Sequence, residues 1–286
     1  EITPSRALGL TDTAGTTFAT ALATALATAS ANAPATPSPA GSTHGGPDGA
    51  SAAGPPGRDE GLLARIGCFV ELHVEQGRAL EVPVGVASAI WPHGRWRLDF
   101  RGRGDHAGTT RLADRRDPML PLAHTVIAAR EAAERHESRA TVGKVNVVPG
   151  GINAIASHVT AWLDARGPDG QSVADTVADV HRHAEQAAHD HGVRFDLAEE
   201  SFSEVVAFNT GLRDRIVAVL GGVPVLPTGA GHDAGILSAH LPTAMLFVRN
   251  PSGVSHAPEE FAELADCLAG VEALAAVLGD LAGPDA

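Results

Sequence analysis

Cysteine is scarce in this chain of 286 residues. Cys68 and Cys267 are the only two, each in an apolar stretch, and no C-x-x-C spacing occurs. That usage predicts a reducing compartment and buried, unpaired thiols. Basic residues are also in short supply, 21 against 34 acidic ones, for a formal charge of −13. Nucleic acid and anionic membranes need a concentrated basic face, so neither is an expected partner. No apolar run approaches the roughly 20 residues of a membrane span, and no basic segment leads into a hydrophobic stretch near the start. A cytoplasmic location is the expectation. The first residue is Glu1 rather than methionine, which suggests a processed, trimmed or partial chain. What is present is a hydrophobic content of 44%, enough for one large domain or two ordinary ones. An acidic chain can still take an anionic substrate, because one placed arginine binds a carboxylate locally.

Along the chain, residues 9–30 carry an Ala/Thr/Leu pattern that predicts a helix from Thr16 to Ala29. Residues 30–58 are Ala, Pro, Ser, Gly and Thr with almost nothing large, which predicts a linker-like insert. Strand material follows at 66–90. Arg95–Arg103 then alternates with Trp96, Leu98 and Phe100 on one face. Pro118–His136 has helical spacing, Thr141–Val148 and His158–Arg166 alternate, Val173–His191 reads as a helix and Val193–Leu197 as a last short strand. The order strand, helix, strand, strand, helix, strand is that of a ferredoxin-like α+β domain, placed at 92–203. The flanking parts, 1–91 and 204–286, alternate helix and strand as part of an α/β layer fold.

Five segments could carry chemistry. In Glu71-Leu72-His73-Val74-Glu75-Gln76-Gly77 a strand histidine has carboxylates two residues to either side, the pattern either of a metal ligand or of a structural strand histidine. Gly104-Asp105-His106-Ala107-Gly108-Thr109-Thr110 is a loop that could aim an imidazole at a ligand, or a polar turn capped by Asp105. Asn153, in Pro149-Gly150-Gly151-Ile152-Asn153-Ala154-Ile155, suits a left-handed turn or presents an amide to substrate. Arg166 ends the strand HVTAWLDAR and could bind a carboxylate with both arms or make a surface ion pair. Its 13-residue spacing from Asn153 predicts neighbouring strand ends meeting at one site. Thr228–Ala234 is a Gly-rich turn able to offer N–H groups to an anion, and Gly253–Glu260 puts His256 in a loop before a helix. The four histidines of one helix, His181, His183, His189 and His191, are not spaced as a ligand pair and read as solvated.

Together and in this order, ELHVEQG, GDHAGTT, GGINAIAS with LDAR, GAGHDA and GVSHAPEE resemble the carbamoylase and allantoate amidohydrolase branch of the dinuclear-metal aminoacylase and carboxypeptidase superfamily. The resemblance covers roughly residues 61–282. It implies an aminopeptidase-like α/β catalytic domain with an inserted ferredoxin-like lid, a homodimer formed through that lid, and two divalent metals, manganese or zinc. It implies His73 and His256 as metal ligands, His106 as the catalytic residue stabilising the oxyanion from the partner subunit, and Gln76, Asn153, Arg166 and Gly231 as substrate contacts. The expected substrate is a small ureido acid, allantoate first, in purine breakdown. An N-carbamoyl-L-amino acid is the alternative, and a catalytically silent chain that keeps the dimerising lid is a third reading. The family's early His-x-Asp pair, its bridging Asp and its Glu-Glu pair find no counterpart here, so the implied metal site is incomplete.

Overall fold

A computed structural model of the protein describes residues 60–283. By its internal contacts the chain divides into two compact units, Glu1–Arg65 and Ile66–Ala286. Of the first unit, a helical turn at Glu60–Leu63 lies among the described residues. The expected helix at Thr16–Ala29 and the insert at 30–58 lie outside them. No described helix is long and apolar enough to cross a membrane.

The described residues of the second unit form two large sheets and a two-stranded ribbon. One has four antiparallel strands: β3 (His93–Arg101), β5 (Arg139–Val148), β7 (His158–Arg166) and β8 (Arg194–Ser203). Their order is β5-β7-β3-β8. Helix α1 (Met119–Arg135) links β3 to β5, and α2 (Gly170–Asp190) links β7 to β8. This is the expected ferredoxin-like topology, with the first and third long strands central. Side chains alternate across a strand, so Trp96, Leu98 and Phe100 of β3 point the same way as Val159, Ala161, Leu163 and Ala165 of β7. They meet Leu122, Ala129 and Ala132 of α1 and Val173, Val180 and Ala184 of α2 in one core. Full burial of a Leu or Phe here stabilises by about 1.5–3 kcal/mol. Helix α2 starts where it does because the Asp169 carboxylate accepts from the Ser172 backbone N–H at 2.8 Å.

Strand β8 is longer than its apolar alternation predicts, running to Ser203 rather than Leu197. Its outer half, Glu199–Ser203, is exposed and polar apart from Phe202. The backbone ladder to β3 holds it, with a register shift between Arg95 and Trp96, so pairing rather than burial decides its length.

The second sheet is mixed. Its path is β1 (Phe69–Val74), β11 (Thr243–Val248), β2 (Val84–Ile90), β10 (Val225–Thr228), and the two-residue β9 (Val206–Ala207) also pairs with β2. Strand β1 runs parallel to β11, which is antiparallel to β2. The run TAMLFV of β11 is buried throughout. Such a run without alternation marks a strand covered on both faces. Ala244 and Leu246 pack with α3 (Thr210–Val219) and α5 (Leu264–Leu281) through Leu212, Ile216, Ala273 and Val277. Met245 and Phe247 face Ile90, Phe208, Leu226 and Ala234, the last from the short α4 (Asp233–Leu237). The two thiols depart from expectation: Cys68 and Cys267 are free but half-buried. Cys68 packs against the α3/α5 side of the core as a partly buried residue.

Candidate functional site

Two chain segments converge at the edge of the mixed sheet. One is the end of β1 with the turn after it, 71–79. The other is the turn 228–234 between β10 and α4. Glu71, His73 and His232 come together, each offering a ligand atom, with all three atoms within 4.8 Å of one another. The two imidazoles meet edge to face with centroids 4.7 Å apart. His73 Nδ1 donates to the Val74 carbonyl at 2.7 Å, which leaves the Nε2 lone pair for a cation. One Glu71 carboxylate oxygen accepts from the Ala234 N–H at 2.7 Å, and the other lies 3.6 Å from His232 Nδ1.

His232 is the notable member. Its side chain is 2% exposed, and its Nε2 has no hydrogen-bond partner. Burial pushes its pKa down to about 4, with the His73 imidazole adding to the drop and Asp233 opposing it. The ring is therefore neutral at pH 7. A buried nitrogen with nothing to bond is costly unless something fills the position. Two imidazoles and one carboxylate, with His73 and Glu71 each held by a backbone contact, fit a divalent cation with an open coordination position. Among the described residues this is the one group of its kind.

The sequence marked His73 but passed over His232, because GAGHDA reads as a glycine turn and nothing in it announces that the histidine turns inward. Glu75, the other carboxylate flanking His73, is diverted to structure: it accepts from the Ala79 and Leu80 N–H groups at 2.8 and 2.9 Å. His256 does not belong to the three-ligand group. It lies on an open cleft of about 720 Å³.

That cleft is lined by Gln76, Arg78, Trp91, Arg139, Asp164, Arg166, Gly229, Ala230, Ser255 and His256, among others. The loop that carries His256 is shaped by Asn250, which is fully buried. The Asn250 side chain accepts from the Ser252 and Gly253 N–H groups and donates to the Val254 carbonyl. Gly253 sits at φ +71, and a Cβ there would come within 2.9 Å of Arg78 Cβ, so only glycine fits. His256 itself has φ 59, rare for a side-chain-bearing residue. Glu260 holds it by accepting from its N–H at 3.0 Å. Gln76 reaches this loop by donating to Ser255 Oγ at 3.2 Å.

Arg166 is on the cleft, but its guanidinium is not left free, as a residue reserved for substrate would be. Nε and Nη2 donate to the two Asp164 oxygens at 2.6 and 2.9 Å, and Nη1 donates to the Gly229 carbonyl at 2.7 Å. The hydrogen bonds with Asp164 hold its pKa above the ordinary value. Gly229 and Ala230 line the cleft wall while Gly231 is one residue beyond it, exposed and with open space at its Cβ position.

His106 and Asn153 lie elsewhere. They join in a two-residue ribbon, β4 (Asp105–His106) with β6 (Ala154–Ile155), and the Ala107 N–H donates to the Asn153 carbonyl at 2.9 Å. His106 Nδ1 accepts from the Gly108 and Thr109 N–H groups, so Nε2 carries the proton and points its donor outward. Both residues are exposed and neither lines the cleft. The expected meeting of Asn153 with Arg166 does not occur within one chain. Asn153 precedes the His158 end of β7, which pairs with Arg101, and Arg166 is at the other end, opposite His93. Nine strand residues separate these ends by about 26 Å.

The model of peptidase family M20/M25/M40 matches residues 12–280. An N-carbamoyl-L-amino acid amidohydrolase of Geobacillus stearothermophilus is 36% identical over 224 residues, 73% of this chain and 53% of the relative. An allantoate amidohydrolase of Escherichia coli is 30% identical, covering 76% of this chain and 55% of the relative. The chain thus spans about half the length of the curated relatives it matches. A solved amidase of the hydantoinase/carbamoylase family from Burkholderia vietnamiensis superposes with a TM-score of 0.76 at 27% identity, covering 98% of this chain and 63% of that one. With the family model matching most of its length, the chain belongs to peptidase family M20/M25/M40.

Proposed function

We propose that this protein is a metal-dependent amidohydrolase of small ureido acids. The observation that carries the reading is the sharing of chain segments. The two chain segments that supply Glu71, His73 and His232 also supply Gln76, Gly229 and Ala230 to a cleft bearing arginines. A bound divalent cation would polarise the ureido carbonyl and activate water there. The chain's own groups supply the rest. Arg166 orients a carboxylate at one side of the cleft, and Gln76 and His256 border the other. Glu71 and the neutral His232 hold the cation side of the site.

His106 and Asn153 serve a second copy in this reading. Both are exposed at the end of the lid sheet remote from Arg166, and His106 presents an N–H suited to a developing oxyanion. A homodimer through the lid brings them to the partner's cleft. His256 stands as the ligand of a second metal, whose remaining ligands are not found among the described residues.

The sequence blocks favour allantoate as substrate, and the 36% identity to the Geobacillus enzyme favours an N-carbamoyl-L-amino acid. Ammonia release from each, with manganese or zinc supplied, tests the reading. The expected result is binding of ureido acids with slow turnover by the 286-residue chain, since the resemblance supplies no general base within it. Absence of both metal uptake and ureido-acid binding would refute the proposal.

A further inference from the structure

We propose that Arg139 is a second anion-anchoring residue of the cleft, and that it selects ureido acids carrying a second carboxylate. The inference rests on the ureido-acid reading above and narrows it towards N-carbamoyl amino acids with an acidic side chain.

Arg139 opens β5 and stands directly opposite Arg166 in the β5–β7 register, so both side chains leave the same face of the sheet and both line the cleft. His93 flanks Arg166 on the other neighbouring strand. Like charges set directly opposite destabilise a sheet unless something offsets them. Asp164 offsets one of the two, since it grips Arg166 through both oxygens. Among the described residues no carboxylate lies within 4 Å of Arg139. Its Nη1 donates only to the Ser138 carbonyl.

The guanidinium is nonetheless positioned. Its Cζ lies 5.8 Å from the centroid of the Trp91 ring, within the range of a cation–π contact. Trp91 is in turn fixed to the cleft wall. Its backbone N–H donates to the Thr228 carbonyl at 2.8 Å, and a Cβ on Gly229 would sit 3.4 Å from the indole. Arg139 is therefore an oriented, uncompensated cation beside a compensated one. A substrate carboxylate at Arg166 would carry a second anionic group towards Arg139. An amide in place of that group would leave the fork without a charged partner. Arg78 also lacks a carboxylate partner among the described residues, but it arises beside Gly253 on the turn after β1, away from the strand pair.

Calorimetric titration of the 286-residue chain with N-carbamoyl-aspartate, N-carbamoyl-asparagine and N-carbamoylglycine tests this. The aspartate compound should bind roughly ten- to a hundred-fold tighter than its neutral asparagine analogue. Arg139→Gln should bring that ratio close to one while binding of N-carbamoylglycine and the melting temperature stay unchanged. Arg139→Lys should recover part of the ratio, and Arg78→Gln should leave it intact. A ratio near one in the parent chain, or one that survives Arg139→Gln, overturns the role of Arg139 alone. If none of the three compounds binds, the ureido-acid reading falls and this inference with it.

Discussion

Arg166 and Asp164, two residues apart on β7, form a two-armed ion pair at 2.6 and 2.9 Å, and the same guanidinium ties the lid sheet to the Gly229 carbonyl in the turn after β10. The arginine is thus both a latch and a candidate carboxylate anchor. Arg166→Lys loses the planar fork. It should weaken ureido-acid binding ten- to a hundred-fold, about 1.5–3 kcal/mol, and lower thermal stability by a few degrees. Asp164→Asn should instead raise carboxylate affinity by releasing the fork. Calorimetry and melting curves on the two variants read both effects, and equal affinities in all three proteins would exclude Arg166 from the binding site.

Metal uptake separates the ligands. His232→Ala, His73→Ala and Glu71→Gln should each lower the affinity for zinc or manganese by ten-fold or more, since each removes one of three donors. His256→Ala should leave this binding event in place, because His256 is outside the group. Competition against a chromogenic chelator measures it. Undiminished binding in His232→Ala would return that histidine to a packing role.

Asp179 gathers His136, Arg182 and Arg135, which hold its carboxyl well below the usual range, with the His136 hydrogen bond the largest cause. A carboxylate lowered on folding stabilises the native state above its unfolded pKa, and that contribution is lost as the pH falls through the folded value. Unfolding followed from pH 6 to pH 2 should therefore show an acid-side loss beginning near pH 4. Asp179→Asn should flatten that part of the curve. The pair Arg135–Asp179 joins α1 to α2, so the variant should loosen the lid helices first, visible by hydrogen exchange.

Asp169 caps α2 through the Ser172 N–H. Asp169→Ala should cost about 1 kcal/mol, read as a lower urea midpoint, with metal uptake unchanged. A loss of metal binding in this variant would show that the lid and the metal group are more tightly coupled than their separate sheets imply.

The sequence by itself determined the lid, because its strands and helices bury one face each and that burial leaves a period in the residues: Trp96, Leu98 and Phe100 at two, and the α1 and α2 cores at helical spacing. It also determined the family blocks and hence His73, Gln76, Arg166 and His256 as candidates. Only the tertiary structure decided which of them meet. His232 joined the metal group because its ring turns inward beneath a glycine turn, a choice of rotamer and loop path that no periodicity records. Arg139 became a cleft residue through strand register, which places it opposite Arg166 across 26 residues of intervening chain. Asn153 and Arg166 parted for the converse reason. They are near in sequence, but the strand between them is extended, and an extended strand carries its ends apart at about 3.3 Å per residue.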